Sequence, residues 1–108
     1  MGKGSLSYAA TVILQAISSN YLYGFDIIDI TGLPGGTVYP ALRRLEEAGY
    51  LSSQWEKPNI AQAEPRPQRK YYELSRPGRE ILAEAVKRYR LLERTPARKQ
   101  RRPKPSRA

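Results

Sequence analysis

The sequence predicts a mainly α fold with a small antiparallel β-wing: a winged helix-turn-helix continued by a C-terminal dimerisation helix. Three observations predict it. A turn marked by Gly32 runs into a strongly amphipathic helix. Two short β-rich stretches, Leu51 to Trp55 and Lys70 to Leu74, follow that helix. Helical segments near each end carry more apolar surface than the thin core of a 108-residue chain accounts for. The expected divisions are a winged-helix domain over 1–75, the dimerisation helix over 76–94 and a basic disordered tail over 95–108.

Met1 to Ser5 is short and polar, and Leu6 to Ser18 reads as the first helix. Its Leu6, Ala9, Ala10, Val12, Ile13, Leu14, Ala16 and Ile17 cover more than half the circumference, leaving Tyr8, Thr11 and Gln15 as a polar strip. That width predicts burial on two sides, the second against a partner subunit or the C-terminal helix. Tyr23 to Ile30 reads as a short second helix, with Ile27 and Ile30 inward and Asp26 and Asp29 outward. In the third, Val38, Ala41, Leu42, Leu45 and Ala48 form the apolar stripe. Pro40, Arg43 and Glu47 fall on the opposite face, flanked by Tyr39 and Arg44. Placed in the first turn, Pro40 would lose no helical bond, and Gly49 supplies the stop.

The two strands are joined by EKPNIAQAEPRPQR, which has three prolines and no helical stripe, and so form the wing. Ser75 is the expected N-cap of the last helix, with Pro77 early in it, and the pattern continues to about Arg94. Ile81, Leu82, Ala85, Val86, Tyr89 and Leu92 share its apolar face. They join Leu6, Ala10, Ile13 and Ile17 of the first helix as candidates for a homodimer interface.

Composition narrows the function. Without cysteine or histidine, disulfide frameworks, Ser-His and Cys-His catalysis and the usual zinc sites are excluded, and no metal or cofactor is expected. The scattered Asp and Glu residues form no evident convergent pair, so an enzyme is not expected. No apolar run approaches a membrane span and no signal-peptide pattern opens the chain, so the expectation is a soluble cytoplasmic protein without a membrane partner. The net charge of +9 is uneven. Residues 1–93 hold twelve Lys/Arg against ten Asp/Glu, whereas 94–108 hold seven Lys/Arg and no acid. A polyanionic partner fits, with the tail adding sequence-independent affinity.

On the third helix, Thr37, Tyr39, Arg43 and Arg44 are the candidate contacts to double-stranded DNA, with the amides of Gly35 and Gly36 near a phosphate. The competing role for Arg43 is an i,i+4 ion pair with Glu47, and for Arg44 an i,i+3 pair with the same acid. Arg66, Arg69 and Lys70 are the wing candidates for phosphate, against ordinary solvated positions. Tyr23 is a further backbone candidate, against core packing. The alternative to a DNA reader is a winged-helix module that docks protein or RNA through the basic tail.

Three blocks carry a family resemblance: Tyr23-Gly24-Phe25-Asp26-Ile27-Ile28, Gly36-Thr37-Val38-Tyr39-Pro40-Ala41-Leu42-Arg43-Arg44-Leu45-Glu46 and Arg69-Lys70-Tyr71-Tyr72-Glu73-Leu74. With Pro77-Gly78-Arg79 opening the last helix, they resemble the signature blocks of PadR-family transcriptional regulators over about residues 6 to 92. The single C-terminal helix resembles the family's smaller subgroup. The resemblance implies a homodimeric repressor, its C-terminal helix packed on the first helix of the other subunit. It also implies a small aromatic or drug-like effector near that interface. Tyr89 and Trp55 are the effector candidates, with plain packing as the competing role of each. The short link between the second and third helices, the long wing loop and the Arg/Lys tail depart from the family pattern.

Overall fold

In the computed structural model, which describes residues 5–58, 65–89 and 92, the chain runs α1 (Tyr8–Ser18), α2 (Gly24–Thr31), α3 (Gly35–Glu47), β1 (Leu51–Trp55), β2 (Lys70–Leu74) and α4 (Arg76–Arg88). Helix α1 begins later than Leu6 because Ser7 caps it, its Oγ accepting from the Ala10 N–H at 3.0 Å. The expected polar strip is only partly polar in practice. Thr11 is fully buried, and its hydroxyl donates to the Ser7 carbonyl at 2.8 Å, so its burial leaves no orphan.

Around α1 pack α2, α3, β2 and α4. Ile13, Leu14, Ile27, Val38 and Leu42 are sealed from solvent at the centre. The second side of α1 is covered by α4 of the same chain. Leu6, Ile13, Ile17, Leu82, Ala85 and Leu92, expected at a dimer interface, are therefore buried within one chain. The two wide apolar faces satisfy each other. Ala10, Ile81, Val86 and Tyr89 stay partly exposed at the edges of this contact. Polar ties fasten its end: the Gln15 amide donates to the Leu92 carbonyl at 2.8 Å and the Tyr89 hydroxyl to that of Leu6 at 3.2 Å. The Tyr8 and Tyr89 rings meet edge to face, 5.1 Å apart.

Helix α2 buries Ile27, but Ile30 is exposed, because Ile28 and Leu33 pack against the core there instead. Asp26 is half-buried and Asp29 exposed. Gly32 adopts φ +77° and ends the helix, as Gly49 at φ +87° marks the turn after α3. Pro34 is the N-cap of α3, so Pro40 lies in the second turn, not the first. The bond that residue 40 would donate to the Gly36 carbonyl is therefore absent. Ala48 is an exposed C-cap and leaves the predicted stripe.

The strands match their predicted bounds and pair antiparallel from Leu51↔Leu74 to Trp55↔Lys70. A third rung comes from before α2: Tyr23 bridges Tyr71, and the Tyr72 N–H donates to the Leu22 carbonyl at 2.8 Å. Residues 59–64 of the wing loop lie outside the described residues. So do 90, 91 and 93–94, which the predicted last helix included, and the predicted tail over 95–108. Within the described chain α4 closes at Arg88 with Tyr89 as C-cap. Among the described residues no helix is long and apolar enough to cross a membrane, and no group of three or more His, Cys, Asp or Glu could hold a metal ion.

Helix α4 enters under a tight constraint. Ser75 accepts from the Gly78 N–H at 3.1 Å and donates to the Gly49 carbonyl at 2.6 Å. A Cβ at Gly78 would collide with the Tyr50 carbonyl, which is backbone and cannot swing away. Gly78→Ala should therefore destabilise the chain by about 2 kcal/mol despite alanine's better helix propensity. Urea denaturation checks this, and an unchanged midpoint would mean that the junction relaxes freely.

Candidate nucleic-acid interface

Helix α3 divides as its sequence pattern requires. Val38, Ala41, Leu42 and Leu45 are buried, and Arg43 and Arg44 stand exposed on the outer side. Among the described residues neither arginine pairs with Glu47, so the competing intrahelical roles are not taken up. At the N-terminus the Thr37 N–H donates to the Pro34 carbonyl at 2.9 Å. The Gly35 and Gly36 amides precede it in the first turn, where donors lack intrahelical partners. Thr37 is half-buried beside them.

Tyr39 leans from α3 across to α2. A Cβ on Gly24 would lie 2.6 Å from the Tyr39 hydroxyl oxygen, so glycine is what admits the ring there. Tyr23, the N-cap of α2, meets Tyr71 edge to face at 5.5 Å and carries the Arg69 guanidinium 4.3 Å from its ring centroid. Burial raises the Tyr23 phenol pKa, with Arg69 opposing, and burial raises that of Tyr72 as well. Both remain neutral donors at ordinary pH.

Two carboxylates, neither singled out by the sequence, position the wing. Glu46 of α3 accepts from the Ser53 hydroxyl at 2.6 Å and lies 3.7 Å from the Lys70 ammonium, tying α3 to both strands. Glu56, its side chain wholly buried, takes both terminal nitrogens of Arg66 at 2.7 Å and the Arg69 N–H at 3.0 Å. Its own N–H donates to the Arg69 carbonyl at 2.8 Å, continuing the ladder past Trp55. Arg66 is thus engaged in an internal ion pair, and a phosphate contact from it would share its guanidinium with Glu56. The signal available was an acid just after one strand and arginines just before the next, read only as charge.

Tyr23, Tyr39, Arg66, Arg69 and Lys70 come together with Trp55 around one cleft of about 540 Å³, which Gly24, Phe25, Pro67 and Tyr72 complete. Gly35, Gly36, Arg43 and Arg44 do not line it. The two effector candidates are separated: Trp55 belongs to this cleft, whereas Tyr89 packs on Tyr8 at the α1/α4 junction.

The model of the transcriptional regulator PadR-like family matches residues 13–84, from the middle of α1 into α4. The chain belongs to that family. A PadR family transcription regulator from Clostridium difficile is 25% identical to this PadR-like chain, with a TM-score of 0.66, and the match covers 81% of this chain and 92% of that one. A PadR family regulator from Eggerthella lenta is 26% identical at a TM-score of 0.57, covering 78% and 75% respectively. BpsR from Bordetella bronchiseptica, 21% identical at a TM-score of 0.65 over 86% of this chain and 66% of that one, shares the fold. No curated protein matches the chain.

The Glu56 staple gives this PadR-like wing a pH dependence. The Arg66 hydrogen bond, assisted by the Arg69 N–H, holds the carboxyl below its usual 4.5 against the opposing effect of burial. A lowered folded-state pKa means that its stabilisation is complete above the unfolded value and fades as pH falls through the folded one. Wild-type melting temperature should drop below about pH 4.5 more steeply than that of Glu56→Gln, which starts lower. Parallel melting curves for the two proteins would reject this role for the staple.

Proposed function

We propose that this transcriptional regulator is a homodimeric repressor that reads operator DNA through α3 and grips the flanking backbone through the wing. One observation carries the reading. Among the described residues Arg43 and Arg44 have no ion pair, and they stand exposed on the outer side of an α3 whose opposite stripe is buried in the core. An arginine fork suits guanine edges or phosphates. Arg69, Lys70 and Tyr39 supply further contacts, with the Gly35 and Gly36 amides on a phosphate and Thr37 and Tyr23 at the margins. Its activity is binding, not catalysis, and its expected setting is the cytoplasm.

For pairing, the described residues Ala10, Ile81, Val86 and Tyr89, which border the α1/α4 contact, keep exposed surface. A second copy seated there would set two α3 helices for successive major grooves. We also infer that a small aromatic compound releases the repressor. BpsR is described as having its DNA binding regulated by 6-hydroxynicotinic acid.

Fluorescence anisotropy with the gene's own upstream DNA and a scrambled duplex tests the reading. Arg43→Ala should weaken specific binding about tenfold and narrow the discrimination, the cost of one good base or phosphate contact. A 1–93 truncation should keep discrimination while showing a shallower salt dependence, since seven cations leave with the tail. Loss of all binding on truncation, with Arg43→Ala silent, would favour a tail-driven docking module. Sedimentation equilibrium at micromolar concentration should give a dimer, and a monomer would remove the two-groove arrangement.

A further inference from the structure

Among the described residues, the exposed large hydrophobic side chains fall in two places. Phe25 at 70%, Tyr39 at 49% and Trp55 at 61% share the cleft at the wing root. Tyr8 and Ile30 line a separate hollow beside α1. The three rings of the cleft come from α2, α3 and β1, so no single helix stripe or strand face accounts for their meeting. Exposed apolar surface gathered in this way marks an interaction site. The cations beside the rings are held in place without being neutralised. Among the described residues Arg69 has no ion pair, and its guanidinium lies 4.3 Å from the Tyr23 ring centroid. The Lys70 ammonium stands 5.6 Å from the Trp55 ring, with Glu46 only a long 3.7 Å partner.

In a duplex the bases stack on one another, so paired DNA brings this cleft phosphates and leaves the rings uncovered. An unpaired strand brings phosphates for the cations and free base faces for the rings. A volume of about 540 Å³ takes a flat body of a base's size with space around it. The net charge of +9 favours the same polyanion. We propose that the cleft is a single-strand nucleic-acid site. Unpaired bases stack on Phe25, Tyr39 and Trp55, and their phosphates lie on Arg69 and Lys70. The contact tolerates any sequence, because every base has a π-face. It rests on the nucleic-acid reading above only for the polyanion at Arg69 and Lys70, since Arg43 and Arg44 lie outside the cleft. The chain then has two separable activities, duplex recognition through α3 and single-strand binding at the wing root.

Trp55 is the only tryptophan, so its fluorescence reports on the cleft in the full chain. Octadeoxyuridylate should quench it saturably as bases stack on the indole. An abasic strand with the same number of phosphates should bind about tenfold more weakly and leave the fluorescence unchanged. The seven cations of residues 94–108 meet the same phosphates in both strands, so this difference excludes their contribution. Phe25→Ser, at an exposed position, should weaken octadeoxyuridylate about fivefold while leaving abasic-strand affinity within about twofold. Arg43→Ala should leave single-strand affinity within about twofold. Octauridylate in its ribose form, with identical bases, separates RNA from DNA as the source, and quenching with tighter binding by either fits the proposal. Equal affinity for the abasic strand, an unquenched Trp55, a silent Phe25→Ser, or loss of single-strand binding in Arg43→Ala overturns it. Operator discrimination, measured separately on duplex, distinguishes the two readings. If it is absent while octadeoxyuridylate still quenches Trp55 in preference to the abasic strand, the repressor reading fails and the single-strand site stands. If it is present and Trp55 stays unquenched by single strands, only the single-strand site fails.

Discussion

Burial of α1 from two directions sets where four of the five other elements can lie, since α2, α3, β2 and α4 all pack on this one helix. The sealed Ile13 and Leu14 each contribute about 1.5–3 kcal/mol on leaving water. Thr11 is accommodated in the same interior because its hydroxyl finds a carbonyl one turn back. A chain this short has little other apolar mass to spend. The position of α3, and with it the outward reach of Arg43 and Arg44, is therefore inherited from the packing of α1.

The wing obeys a different logic. Two five-residue strands are marginal by themselves. They gain inward anchors at Leu51 and Tyr72, a rung from Leu22 and Tyr23, and ties through carboxylates. Glu46 links the sheet to α3, and Glu56 closes the hairpin root. Acids on a surface read as DNA-facing would oppose a polyanion if they were bare. Glu46 and Glu56 are turned toward donors of their own chain, so their charge organises the neighbouring cations.

Regular periodicity made most of the fold legible. The α3 stripe, the two glycine stops, both strands and the Ser75 cap are local signals, and each stands where its residue type requires. The failures are tertiary. Whether a wide apolar face meets a partner or another part of the same chain is a matter of three-dimensional path, so Ile13, Ile17, Leu82 and Ala85 were legible as buried but not by what. Ile30 was misplaced because helical spacing cannot show that Ile28 and Leu33 already fill that corner. At the site, the charge of Arg66 was visible, but its capture by Glu56 depends on a hairpin closing between them. The cleft combines residues from three elements, so no linear pattern announces it.

The Glu56 staple also bears on how such chains diverge. Because Arg66 and Arg69 are fastened to Glu56 at the neck of the hairpin, the intervening stretch is bounded by its own clasp. Insertions or deletions there change a closed loop whose entropic cost grows only as about 1.5 RT ln n. They need not displace Lys70 or the register of the strands beyond. Wing length can then drift among relatives while the cations at its root keep their places, which turns an unusually long loop into a tolerated variable.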